Sequence, residues 1–203
     1  DAIGKIKVTQ SCLQEETAKS VLSYMKNVAT INPLGKDEQT HEGILSQIYN
    51  DNDFIDKTTA AACYLNPADN QSKRKRHTNL IYPFGCNTSQ KIAVAKAFEH
   101  QISVIQGPPG TGKTQTILNI IANIILQGKT VIVVSNNNSA TANVLEKLEK
   151  YGIGFIAAPL GNRDNKAAFI ANQPAIPADC KSWRLDANDA FKVKQRLDVT
   201  SQH

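Results

Sequence analysis

Eight consecutive residues, Gly107, Pro108, Pro109, Gly110, Thr111, Gly112, Lys113 and Thr114, combine types and spacing that can hold a phosphate chain. A glycine, four residues and then Gly-Lys-Thr is a phosphate-loop pattern, and each type meets a physical need. Glycines let the backbone turn back on itself, so that successive N–H groups point at phosphate oxygens. Lys113 can carry positive charge to the β- and γ-phosphates, and the Thr114 hydroxyl can ligate Mg2+. Lys113 and Thr114 are therefore the candidate catalytic residues, and residues 107–114 the candidate phosphate site.

The flanks supply the context that this chemistry needs. Ile102, Ser103, Val104 and Ile105 read as a short buried strand. Residues 115–127 read as a helix carrying Ile117, Leu118, Ile120, Ile121, Ile124, Ile125 and Leu126, with Gly128 as its stop. Being apolar almost all round, that helix should be covered on most sides. Its N-terminus adds partial positive charge beside the loop. A second β-branched run, residues 131–134, predicts the next strand. A helix over residues 139–151 follows, with Val144, Leu145 and Leu148 inward and Gly152 as its stop; a third strand is expected at 154–158. Upstream, Asn87 or Thr88 opens a helix with Ile92, Ala95 and Phe98 on one face. Strands alternating with helices at this spacing predict an α/β fold, a parallel sheet with helices on both faces.

The rest of the chain carries less chemistry. Residues 1–80 read as mainly helical after a strand at 5–8, with Val21, Leu22, Met25 and Val28, and then Ile44 and Ile48, at helical spacing. A third apolar stretch, 54–65, ends before Pro67. Beyond Gly161 the pattern decays into a short helix at 167–171 and another from Asp186. The expected division is a helical segment 1–80, a nucleotide-binding segment 81–171, and the start of an insertion or linker at 172–203. Beginning at Asp1 rather than Met, and stopping inside a helical pattern, the chain reads as an excerpt of a longer protein.

Bulk properties narrow the class. With 41% hydrophobic and 20% charged residues in 203, the composition is that of a soluble globular protein. Nothing resembles a signal peptide, and the run 117–126 is too short and interrupted to span a membrane. Cys12, Cys63, Cys86 and Cys180 are far apart without a Cys-x-x-Cys pair, which argues against a zinc site or disulfide framework and for reduced thiols in the cytoplasm. His41, His77, His100 and His203 show no ligand spacing. Net charge is +5, and Lys73, Arg74, Lys75 and Arg76 stand together in a polar stretch. That run reads as a solvated basic loop, or as a phosphate-backbone contact where other features point to nucleic acid.

Three features sit together: Asn87, Thr88, Ser89 and Gln90 upstream of the loop, the loop itself, and a strand running into Ser135, Asn136, Asn137, Asn138, Ser139 and Ala140. This arrangement resembles superfamily 1 helicases of the B branch, which includes the nonsense-mediated-decay helicase. The resemblance covers residues 82–161. It implies a RecA-like motor domain that binds ATP and Mg2+, with Gln90 reading adenine and Asn137, Asn138 and Ser139 contacting single-stranded DNA or RNA. It also implies a second RecA-like domain elsewhere in the same polypeptide. Asn136 stands where the family usually has Pro, and Ala142 where it often has Asp. The family's Asp-Glu strand end and arginine finger have no counterpart here: none of Glu146, Glu149, Asp164, Asp179, Asp186, Asp189 and Asp198 follows a clean apolar strand. The chain by itself is expected to be inactive.

Other readings of the same residues stand beside these. Gln90 lies three after Asn87, which is capping-box spacing, so it can tie down a helix start. A carboxamide can also accept from adenine N6–H2 and donate to N7. Residues 136–139 can be a polar strand-to-helix turn with Ser139 as cap. Tyr82 and Phe84 fit either a base-flanking role or packing, and Trp183 reads as packing. An AAA+ ring ATPase often carries the same loop, and a nucleotide-gated binding module without turnover would too.

Overall fold

The computed structural model describes residues 9–31, 43–68, 80–161, 163–173, 175–183 and 186–200. The strand expected at 5–8 and the basic run 73–76 lie outside the described residues. Eight α-helices are assigned among the described residues: α1 (Glu16–Ile31), α2 (Ile44–Asn50), α3 (Ala60–Leu65), α4 (Thr88–Glu99), α5 (Lys113–Leu126), α6 (Asn138–Lys150), α7 (Arg163–Ala171) and α8 (Ala187–Thr200). The chain divides into two units, Asp1–Arg76 with Lys96–Val104, and His77–Ala95 with Ile105–His203.

In the first unit an antiparallel bridge joins Ser11 to Asp56. The Cys12 amide donates to Ile55 O at 2.8 Å and the Lys57 amide to Gln10 O at 3.0 Å. Behind this bridge Cys12, Ala18, Leu22, Ala62 and Leu65 form a buried cluster. The buried residues of α1 are Ala18, Leu22 and Ala29, whereas Val28, at helical spacing with Leu22 and Met25, is 44% exposed, and Ile44 (42%) and Ile48 (49%) on α2 are exposed too. Val21 and Met25 of α1, with Leu13 and Ile55, pack partly buried against the cluster.

In the second unit α5 and α6 pack around Phe84, Leu118, Ile121, Val144 and Leu148. Both helices end where glycine was expected to end them. Gly128 N–H donates to Ile125 O at 2.8 Å and Lys129 N–H to Ile124 O at 3.2 Å, and Gly152 and Ile153 repeat the pattern on Glu149 and Leu148. On helix α4 Phe98 is buried as expected and Ala95 is half-buried, but Ile92 is not inward. The helix's buried face is Gln90, Val94 and Phe98, while Ile92 is 52% exposed.

Among the described residues no strand is assigned. Residues 102–105 and 131–134 run as irregular chain, and the reason is physical: a strand exists only when a neighbour supplies its ladder bonds. Exposure along 131–134 still alternates with the period of a pleat, Val131 38%, Ile132 85%, Val133 38% and Val134 83%. The third expected strand is corrected outright, because Gly154–Ile156 is a 3-10 turn. Ile156 N–H donates to Ile153 O and Ala157 N–H to Gly154 O, which curls this segment back against the end of α6. A Cβ on Gly154 would stand 2.6 Å from Glu149 Cγ, so the close approach depends on glycine.

Candidate nucleotide-binding site

The phosphate loop is closed by its own side chains. Thr111 Oγ1 donates to Pro108 O at 2.8 Å. Lys113 Nζ donates to Gly107 O at 2.5 Å and to Pro108 O at 2.8 Å, so the ammonium lies over the loop's carbonyls. Gly112 caps α5 in the left-handed region, φ 78°, where a side chain is strained. A Cβ there would overlap Gln90 Nε2, and one on Gly107 would stand 2.6 Å from Thr111 Oγ1. The loop therefore has room for backbone only at these two points. Helix α5 starts at Lys113 and its first helical bond runs from the Thr116 amide to Gly112 O, so the amides of Lys113, Thr114 and Gln115 have no acceptor within the helix.

Gln90 is the residue that joins this loop to α4. Its Oε1 accepts from the Asn87 amide at 2.8 Å, while Asn87 Oδ1 accepts from the Gln90 amide at 2.9 Å, the reciprocal pair of a capping box. Its Nε2 donates to Thr111 O at 3.2 Å and Gly112 O at 3.1 Å. Both amide hydrogens are thereby committed to the loop, and one lone pair of Oε1 is left over. Gln90, Gly85, Cys86 and Asn87 form one wall of an open cleft of about 390 Å3, and Gly110, Thr111, Gly112 and Gln115 form the other. Burial raises the Cys86 thiol above its ordinary pKa, with Lys91 opposing.

Three carboxamides on α5 were not anticipated as site residues. Asn119, fully buried, accepts from the Phe84 amide at 3.3 Å and donates to Gly85 O at 2.9 Å. Asn123 accepts from the Ile81 amide at 2.9 Å and donates to Ile81 O at 2.7 Å and Asn119 O at 2.8 Å. Gln115 donates to Phe84 O at 3.4 Å. The signal was present: Asn at i and i+4 in an otherwise apolar helix must find partners once buried.

Aromatic residues take packing roles. Phe84 is buried edge-on to Tyr151, with centroids 4.9 Å apart, and Lys91 Nζ lies 5.8 Å from the Tyr82 ring centre. Trp183 donates to Asp179 and stands 5.9 Å from Phe155. At the start of α6 the cap is Asn137 rather than Ser139: Asn137 Oδ1 accepts from the Ser139 amide at 2.9 Å and from Ser139 Oγ at 2.8 Å. Asn137 and Ser139 are both exposed. The loop and Gln90 come together with one another; Asn137 and Ser139 sit at a different helix end.

A family profile described as AAA domain matches residues 85–188, from the cleft wall through the loop to the start of α8. The chain belongs to this AAA domain family. Regulator of nonsense transcripts 1 homolog of Drosophila melanogaster is 36% identical over 115 residues, 55% of this chain and 9% of that relative. DNA polymerase alpha-associated DNA helicase A of Schizosaccharomyces pombe is 39% identical over 71 residues, 34% of this chain and 11% of the relative. DNA-binding protein SMUBP-2 of Mesocricetus auratus is 38% identical over 69 residues, 34% of this chain and 7% of the relative. The AAA domain chain thus spans roughly a tenth of the length of these relatives, and they agree with its resemblance to B-branch superfamily 1 motor domains. No solved structure matches it.

Proposed function

We propose that this chain is the ATP-binding portion of an ATP-dependent helicase or translocase, in which hydrolysis drives movement along single-stranded DNA or RNA. The observation that carries this reading is the glycine-restricted loop at the N-terminus of α5, facing a cleft whose opposite wall holds Gln90. The names of the relatives, a DNA helicase and a regulator of nonsense transcripts among them, support the same class.

The residues present fit a nucleotide triphosphate with Mg2+. Gly110 turns the crest of the loop at φ 84° with open space around it, while Gly107 and Gly112 let Thr111 Oγ1 and Gln90 Nε2 close the loop from behind. Lys113 exchanges the Gly107 and Pro108 carbonyls for phosphate, and Thr114 offers its hydroxyl to the metal. When bound, Mg2+ supplies charge neutralisation on the β- and γ-oxygens. Gln90 keeps its donors on the loop and offers the remaining Oε1 lone pair to adenine N6–H2, which guanine, with an oxygen at that position, does not satisfy.

In the same reading, residues 102–105 and 131–134 are strands of a RecA-like parallel sheet whose ladder partners lie elsewhere in the polypeptide. A second RecA-like domain closes over the nucleotide, and Asn137, Asn138 and Ser139 contact the single strand. No described helix is long and apolar enough to cross a membrane; a cytoplasmic location belongs to the proposal.

ATPase assays test it. The intact polypeptide should hydrolyse ATP faster in the presence of single-stranded DNA or RNA. Residues 1–203 alone should turn over at background, since an arginine finger by itself is worth about 10^3-fold or more. Strand-independent turnover, or none, in the intact polypeptide would overturn the helicase reading. Equal stimulation of 1–203 alone would show that the motor is complete without further residues.

A further inference from the structure

Helix α5 could have packed against residues 81–85 with leucine alone, and it does not. It places two fully buried carboxamides there, Asn119 and Asn123, at a desolvation cost that only complete pairing offsets. Their bonds run to Ile81 N–H, Ile81 O, Phe84 N–H and Gly85 O, four backbone groups of one segment. No side chain of that segment is needed for this grip, so it fixes where the backbone lies rather than what packs on it. The segment continues directly into Gly85, Cys86, Asn87 and Gln90, one wall of the cleft, while α5 begins with the loop, the other wall.

We propose that Asn119 and Asn123 are positioning residues for the base half of the nucleotide. They set the separation of the two walls, resting on the nucleotide-site reading above. A nucleoside triphosphate touches both walls, the triphosphate on the loop and the base on residues 85–90. Inorganic tripolyphosphate touches the loop alone. Loosening the clamp therefore weakens the first ligand and spares the second, which a general loss of folding would not do.

Calorimetric titration of the 203-residue chain with Mg2+ and either ATP or inorganic tripolyphosphate tests this in wild type, Asn119→Ala and Asn123→Ala. The expected result is a loss of about tenfold in ATP affinity, one hydrogen-bonded contact's worth, with tripolyphosphate affinity unchanged within about twofold. Equal losses for both ligands, or no loss for either, overturn the proposal. A second readout needs no variant. In wild type, hydrogen exchange at the Ile81 and Phe84 amides should slow with ATP and not with tripolyphosphate; identical exchange with the two ligands overturns the proposal even if both variants fail to fold. Absence of ATP binding by the wild-type chain is a separate outcome, and it removes the nucleotide-site reading along with this one.

Discussion

Gln90 Nε2 donates to the Gly112 carbonyl across 3.1 Å, tying the start of α4 to the residue that caps α5. The glycine at 112 is what permits this, because a Cβ would occupy the space of the amide nitrogen. A side chain whose spacing marks it as a helix cap thus also closes the phosphate loop from outside.

Replacing Gln90 with Glu separates the two jobs. The carboxylate still accepts from the Asn87 amide, but it has no hydrogens for Thr111 O and Gly112 O, and oxygen then faces oxygen. Gln90→Glu should cost about 1–3 kcal/mol in a denaturant titration without nucleotide. An unchanged midpoint would mean that the carboxamide does not hold the loop.

Asn137 allows a similar separation at the other helix end. Asn137→Ala should lose about 0.5–2 kcal/mol with the cap. Asp keeps the acceptor for the Ser139 amide, and its charge suits a helix N-terminus, so Asn137→Asp should hold stability. A carboxylate repels a phosphate backbone, so the same variant of the intact polypeptide should bind single strands more weakly in fluorescence anisotropy. Undiminished strand affinity in Asn137→Asp would leave Asn137 as a cap and nothing more.

Cys86 reports on the cleft through its thiol. Burial raises its pKa, so at any pH below that value the thiolate fraction is smaller than that of a free cysteine. Its stability contribution is complete below the unfolded-state pKa and is lost as pH climbs through the higher folded-state value. Iodoacetamide at pH 8 should alkylate Cys86 more slowly than a cysteine peptide, and saturating ATP should slow it further. Peptide mass spectrometry after timed quenching gives both rates, and alkylation indifferent to ATP would take Cys86 out of the occupied cleft.

What could be read from the chain and what could not divide along a physical line. The loop, α5 and α6 were legible because their determinants are local: glycine spacing, a 3.6-residue apolar period, and glycine stops at 128 and 152. The expected strand at 131–134 is not formed among the described residues, since it has the composition and alternation of a strand but depends on a neighbour for its ladder. Residues 154–158 misled for another reason. Two glycines interrupt the apolar run at its start, and the chain folds onto Glu149 instead of extending. The site was half legible. Asn87 and Gln90 showed their capping relationship by spacing alone, whereas the bonds from Gln90 to Thr111 and Gly112, and from Asn119 to Phe84 and Gly85, are made across the fold.

In the proposed function Lys113 is the phosphate ligand. Lys113 is exposed and its bonds to Gly107 O and Pro108 O are surface bonds, so Lys113→Ala should leave the melting temperature without nucleotide nearly unchanged. A charge-assisted hydrogen bond is worth about 1.5–3 kcal/mol, so the same variant should bind ATP with Mg2+ at least about tenfold more weakly in calorimetric titration. Equal affinity in variant and wild type, with both folded, would contradict the placement of the nucleotide on this loop.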